Sequence, residues 1–384
     1  MDQVVPPRPG RPAGRPRLLR GLNSINALSH VLALGPSTAT QISTGVGVSR
    51  TAVEAVLADL VASGWLARLA PQSTAQPGRP GASYDLAAEV GAIGALQFDS
   101  ARVAATVCDY RGDPLVALAE DLQEDLPVNR RVDAGVELFG RALGASAVAP
   151  GSVRLVGVAS PGVISGGRVL HFGGHGMPGW IGTDLGGNLR RALGLPVVVE
   201  GDSALGALAE KRRGAAQDRD NFVYIYSGRR TGAAIMLDGK LRRGAHGAVG
   251  LVGELDELRW KEVEEAAYRS AGPGGAANVQ AEFPAVLGLG ISAMVLAVDP
   301  DAVLIGGPYR DHIQAAMEEI TLEVARRCPI PPTVQLGRFG ADAVIQGTVC
   351  LAMDAIADGL VRLVEAGAPM PGPGALAQAI SHGL

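Results

Sequence analysis

Cysteine is scarce in this chain and falls into no pattern. The three residues, Cys108, Cys328 and Cys350, lie far apart, which argues against a disulfide framework or a zinc ribbon. No uncharged apolar run reaches membrane-spanning length and the first residues hold no hydrophobic signal core, so the expectation is a soluble, cytoplasmic protein with no membrane partner. Lysine is absent from residues 1–81, yet that stretch holds eight Arg against three acids. It therefore carries +5, and the remainder −9, within a net charge of −4. A basic front on an acidic body suits a DNA-binding head on a ligand-binding body, because phosphate neutralisation supplies most sequence-independent affinity. A solvated basic tail would give the same count.

What the chain does hold is apolar material, 47% of 384 residues with only 19% charged, enough for two or three folding units. Its most informative stretch runs from Ser37 to Gly64. Ser37 reads as the N-cap of a helix of about eight residues broken by Gly45 and Gly47, Ser49 as the cap of a second helix, and Gly64 as its stop. Along the second helix Val53, Val56, Leu57 and Leu60 recur at three- and four-residue intervals, a stripe that needs burial. Arg50, Thr51 and Glu54 remain exposed at its N-terminal end. That is a helix-turn-helix, in which the first residues of the recognition helix meet base edges in the major groove. An ordinary helical hairpin shares the spacing, but the flanks favour the former: Leu18–Leu34 is a third helix, and the apolar runs after Gly64 suit a two-stranded wing.

Residues 1–17 are Pro-, Gly- and Arg-rich and read as a disordered tail. Gly-Arg-Pro occurs in it twice and again at Gly78–Pro80 in the wing. Arg79 there would enter a narrow minor groove, where the enhanced negative potential attracts guanidinium groups. The candidate DNA-contacting residues are thus Ser49, Arg50, Thr51, Glu54 and Arg79. From Gly91 onward, strands alternate with helices in two similar sets, which predicts two α/β lobes with a cleft between them. The stretch after Gly367 reads as a loosely held tail.

Four segments then carry a resemblance: Pro178–Trp180 (PGW), Gly194–Glu210 (GLPVVVEGDSALGALAE), Gly239–Glu254 (GKLRRGAHGAVGLVGE) and Asp299–Gly307 (DPDAVLIGG). From Leu18 to about Leu360 the chain resembles the ROK family of bacterial repressors and sugar kinases. The resemblance implies a multidomain protein: a winged helix-turn-helix at 18–87, then an α/β two-lobed actin-like (ribonuclease-H-like) domain at 88–366, with tails at 1–17 and 367–384. Family members with a winged helix are transcription regulators, so it implies a regulator, most simply a repressor, with a double-stranded DNA operator and a homodimeric or homotetrameric state.

The same alignment argues against catalysis. The family's first phosphate loop falls on Asp99-Ser100-Ala101-Arg102-Val103, where only the Asp remains, and the second on Gly228-Arg229-Arg230-Thr231-Gly232, where a long side chain stands at a place of close backbone approach. The family's base matches Asp202, without its flanking Asn. The Asn ahead of Pro-Gly-Trp is Gly176, its sugar-binding Glu is Leu251, its zinc-ligating His is Glu254, and the cysteines that should follow are absent. His171, His175 and His246 lack metal-ligand spacing, so neither metal nor cofactor is implied. Asp202 either meets an effector's hydroxyls or caps the following helix. Arg229 and Arg230 either bind an anionic effector or are exposed hairpin arginines. A sugar kinase carrying a DNA-binding head, and a body reduced to a dimerisation scaffold, are the alternatives.

Overall fold

The computed structural model describes residues 15–70, 82–262 and 283–381. The readings made for residues 1–14, for the wing tip with Arg79 and for residues 382–384 lie outside them. The chain divides into two compact units, Met1–Gly91 together with Ala355–Leu384, and Ala92–Asp354.

In the first unit, α1 (Arg15–Leu34) packs on α2 (Ala39–Val46) and α3 (Arg50–Ala62), followed by β2 (Leu66–Leu69) and β3 (Ser83–Leu86). The expected stripe is the core: Val53, Val56, Leu57 and Leu60 are buried, together with Leu28, Val31 and Ile42. One cap differs from the sequence reading. Ser37 lies in the short strand β1 (Ser37–Thr38), paired with Tyr84 of β3, and the helix starts one residue later. Thr38 caps it through a reciprocal box: its Oγ1 accepts from the Gln41 amide at 3.3 Å while its own amide donates to Gln41 Oε1 at 2.8 Å. Gly45 stays helical, and the left-handed Gly47 (φ +72) ends the helix. Ser49 caps α3 as read, accepting from the Ala52 amide at 3.4 Å.

The C-terminal stretch also corrects the sequence reading. From Ala355 it belongs to this first unit, and in place of a loose tail it forms a helix, Pro373–Ser381, that buries Leu376. The indole of Trp65, fully buried, donates to the Pro371 carbonyl at 2.6 Å and ties the two ends of the chain together.

The second unit builds one sheet pattern twice. In the first lobe β4 (Ala92–Phe98) runs parallel to β7 (Val153–Ser160) and antiparallel to β5 (Arg102–Asp109), with β10 (Val197–Gly201) and β6 (Pro114–Asp121) at the edges. In the second, β11 (Phe222–Ser227) lies between antiparallel β12 (Thr231–Leu237) and parallel β14 (Ala302–Gly306), flanked by β13 (Lys240–Arg242) and β15 (Thr333–Leu336). Helices α4 (Val128–Ala145) and α5 (Leu185–Leu193) accompany the first sheet, and α7 (Phe283–Val298) and α8 (Arg310–Arg327) the second. Between the sheets, α6 (Asp202–Arg213) buries Leu205 and Ala207 against Ala159 of one lobe and Phe222 and Tyr224 of the other. The Pro-Gly-Trp segment has a structural role: Trp180 is buried against Phe98, ring centres 5.6 Å apart, and donates to Ser160 Oγ at 3.1 Å.

The helix α9 (Ala343–Glu365), with its preceding turn, is long and apolar enough by composition to cross a membrane, although more than half of that window is buried inside the protein. The sequence reading passed over it by counting only uncharged runs, since Asp354 and Asp358 interrupt this one. All three cysteines are buried and unpaired, and burial first of all pushes the Cys108 thiol up to about 12 and Cys350 to about 11.

Candidate functional site

A cleft of about 790 Å³ opens between the two lobes of the second unit, and the loops that the sequence singled out line it. From the first lobe come the three-residue turn after β4, bearing Asp99 and Ser100, and Glu124 ahead of α4. From the second comes the turn between β11 and β12, bearing Arg229 and Arg230. Asp202, at the start of α6, lies on the floor. A narrower cavity of about 110 Å³ continues inward past Asp202, Ser203, Arg230 and Glu200.

One of the two sequence readings of Asp202, that it caps the following helix, is corrected by the structure. The N-cap position of α6 is Gly201, and Asp202 is the first helical residue, its Oδ1 accepting from the amide of Ser203 at 2.6 Å and from its hydroxyl at 3.1 Å. Burial pushes its carboxyl up to about 6 against those hydrogen bonds, and the neighbouring Asp99 adds to the rise. An ionised carboxylate on a cleft floor can accept hydrogen bonds from ligand hydroxyls.

The two arginines have carboxylate partners. Arg229 Nη1 donates to Glu124 Oε1 at 2.6 Å and to Ser100 Oγ at 3.1 Å. Arg230 Nη2 donates to Glu254 Oε1 at 3.0 Å. The same Glu254 receives Lys261 Nζ at 2.8 Å and has His171 Nε2 at 3.2 Å. Burial raises the Glu254 carboxyl, but the hydrogen bonds from Lys261 and His171 and the charge of Arg230 outweigh it and hold the group below the usual range. Glu200 at the end of β10 pairs with Arg243 just after β13. These partners lie 105 positions apart for Glu124 and Arg229, so only the fold brings them together.

The zinc site of the resembled family does not fit these residues. Glu254, in the place of the histidine, is surrounded by three cationic or basic side chains, and among the described residues no group of three His, Cys, Asp or Glu is arranged to hold a metal. His175 borders the cleft mouth, and His246 is exposed.

Behind the cleft, sequence reasoning missed Arg131. Its guanidinium is wholly buried and donates to the carbonyls of Asp99 at 2.7 Å, Gln123 at 2.9 Å and Glu124 at 3.2 Å. One side chain thereby fixes both first-lobe loops at the cleft. An arginine in the otherwise amphipathic α4 was the available signal, but nothing local distinguishes it from Arg130, which is exposed.

The other candidate site is in the first unit. Arg50, Thr51 and Glu54 are exposed at the first turns of α3, beyond the cap on Ser49, and Arg50 Nε is paired with Glu54 Oε1 at 3.0 Å. Three helices and an antiparallel sheet of order β1–β3–β2 make up this head.

Such a helical head followed by two matching mixed sheets defines a two-lobed, actin-like α/β protein with an N-terminal helical region. Residues 141–257 match the sequence profile of the ROK family, and the chain carries a ROK family domain there. The bifunctional enzyme NanE/NanK of Brucella suis is 30% identical over 201 residues, 44% of this chain. The xylose repressor of Bacillus subtilis is 28% identical over 100 residues, 26% of this chain. The matches span about 37% and 26% of the lengths of those relatives. Among solved structures, a ROK family transcriptional regulator, a homologue of the Escherichia coli MLC protein, superposes with a TM-score of 0.67 at 18% identity, covering 95% of this chain and 100% of its own. The ROK hexokinase of Thermus thermophilus superposes with a TM-score of 0.56 at 22% identity, covering 70% and 99%. Regulators and kinases thus share this fold.

Proposed function

We propose that this protein is a DNA-binding transcription regulator, a repressor, whose α/β body senses a small metabolite without catalysis. The observation that carries the reading is α3: its apolar stripe is fully buried while Arg50, Thr51 and Glu54 stand exposed at its capped N-terminal end. That geometry is the one a major-groove reader requires. On an operator, Arg50 exchanges Glu54 for a base edge or a phosphate, Thr51 and Ser49 contact the backbone, and Arg79 of the wing enters the minor groove. The regulator likeness spans 95% of the chain and the hexokinase likeness 70%, which supports assigning the head a function of its own.

In the body, Asp202 is the hydroxyl-binding group for the effector, with Arg230 and Arg229 at the cleft wall; a sugar or sugar derivative is the class suggested by the relatives. A second copy of the chain completes the reader, since paired heads read paired half-sites. The face of α7 offers a surface for it: the helix contains no charged residue and exposes Leu289 and Leu296. Operator DNA places the protein in the cytoplasm.

Footprinting on its own upstream region tests the reading. A pseudo-palindromic site is expected, with binding weakened at least tenfold by Arg50→Ala and by Arg79→Ala; indifference to both rejects it. The kinase alternative is favoured by one observation, the Asp202 carboxyl poised near 6 beside Asp99. ATP-dependent phosphorylation of a sugar, abolished by Asp202→Asn, would establish it.

A further inference from the structure

The two turns that the resemblance aligns with nucleotide phosphate loops hold each other in this protein. The Arg229 guanidinium of the second lobe reaches across the mouth of the cleft to Glu124 and Ser100 of the first, at 2.6 and 3.1 Å. Both ends are preorganised. On the first lobe, buried Arg131 holds the carbonyls of Asp99, Gln123 and Glu124, and the Met177 amide donates to the Glu124 carbonyl at 2.7 Å. On the second, the turn is held by the Tyr309 amide donating to Ser227 O at 3.1 Å, beside Gly307. Gly307 has a left-handed φ of +96, and a Cβ there would stand 2.4 Å from that carbonyl, so no other residue permits this approach. Two further contacts cross the cleft deeper in, His171 with Glu254 and Glu200 with Arg243. Arg229 and Glu124 are both half-buried, where an ion pair with hydrogen bonds is screened less than on open surface.

We propose that Arg229 and Glu124 form an internal strap which takes over the work of a bridging nucleotide, holding the lobes closed when the cleft is empty. The lobe arrangement is then set by protein charges, and an occupant of the cleft acts by working with or against this pair. Arg131 is a positioning residue for the strap.

Hydrogen–deuterium exchange on the full chain tests this without requiring operator binding or a known effector, so it stands apart from the fate of the DNA-reading assignment. In Arg229→Ala and Glu124→Gln, amide exchange in peptides covering Ser227–Thr231 and Leu122–Val128 is expected to rise about threefold to tenfold, with β7 and β14 unchanged. Arg229→Lys, which keeps the charge but loses the fork, should give a smaller rise. The reversed pair, Arg229→Glu with Glu124→Arg, should bring exchange back toward the parent. Unaltered exchange in the single variants, a rise spread evenly through the unit, or no recovery in the reversed pair overturns the strap.

Discussion

The N-terminal end of α3 and the cleft of the second unit treat charged side chains in opposite ways. On α3, Arg50 is highly exposed and its partner, Glu54, is a neighbour four residues along the same helix, a contact worth a few tenths of a kcal/mol. In the cleft, Arg229 and Arg230 meet carboxylates contributed by distant parts of the chain, partly out of water. The first arrangement leaves a cation available to an outside anion. The second has satisfied its cations internally, so the cleft wall presents little free positive charge to a visitor.

The comparison can be broken at its foundations or refined at its edges. Trp180→Ala should have the largest effect, destabilising the second unit by about 3–5 kcal/mol in denaturant melts, because it empties a packed site and orphans the Ser160 contact. Leu57→Ala in α3 should cost about 2–4 kcal/mol and abolish operator binding with it; retention of full binding would mean that α3 is not held by its stripe. Asp202→Asn should show a pH signature. Its folded pKa, about 6, lies above the ordinary carboxylate value, so the folded state binds more protons than the unfolded chain between about pH 4 and 6, and the ionised carboxylate costs stability above that window. The variant should therefore gain roughly 1–3 kcal/mol over the parent at pH 8 and nothing at pH 3.5, read as the difference in melting temperature. Smallest is Ser49→Ala, which removes the cap on α3 and should cost about 1 kcal/mol, with a parallel but modest loss in operator affinity.

Much of the first unit was legible because its signals are local. The spacing of Val53, Val56, Leu57 and Leu60, the cap on Ser49 and the stop at Gly64 all act within one or two helical turns. Ser37 was misread for a tertiary reason, since pairing with Tyr84 holds it extended and hands the cap to Thr38. The C-terminal helix was missed because its anchor, Trp65 on the Pro371 carbonyl, is more than three hundred residues away. At the cleft, the sequence named Asp202, Arg229 and Arg230 but not their partners. Charge pairing across a sheet-to-sheet gap leaves no periodicity to read, and Glu124, Arg131 and the pairing of Glu254 with Arg230 became visible only in three dimensions.

The burial of Cys108, Cys328 and Cys350 has a practical consequence. With two of these thiols held almost entirely protonated at neutral pH and all three shielded from solvent, the parent chain should be nearly silent to maleimides and to mild oxidants. A single cysteine placed at an exposed position on either lobe would then be the dominant reactive thiol, so fluorophore distances across the gap become measurable without first stripping the native sulfur atoms.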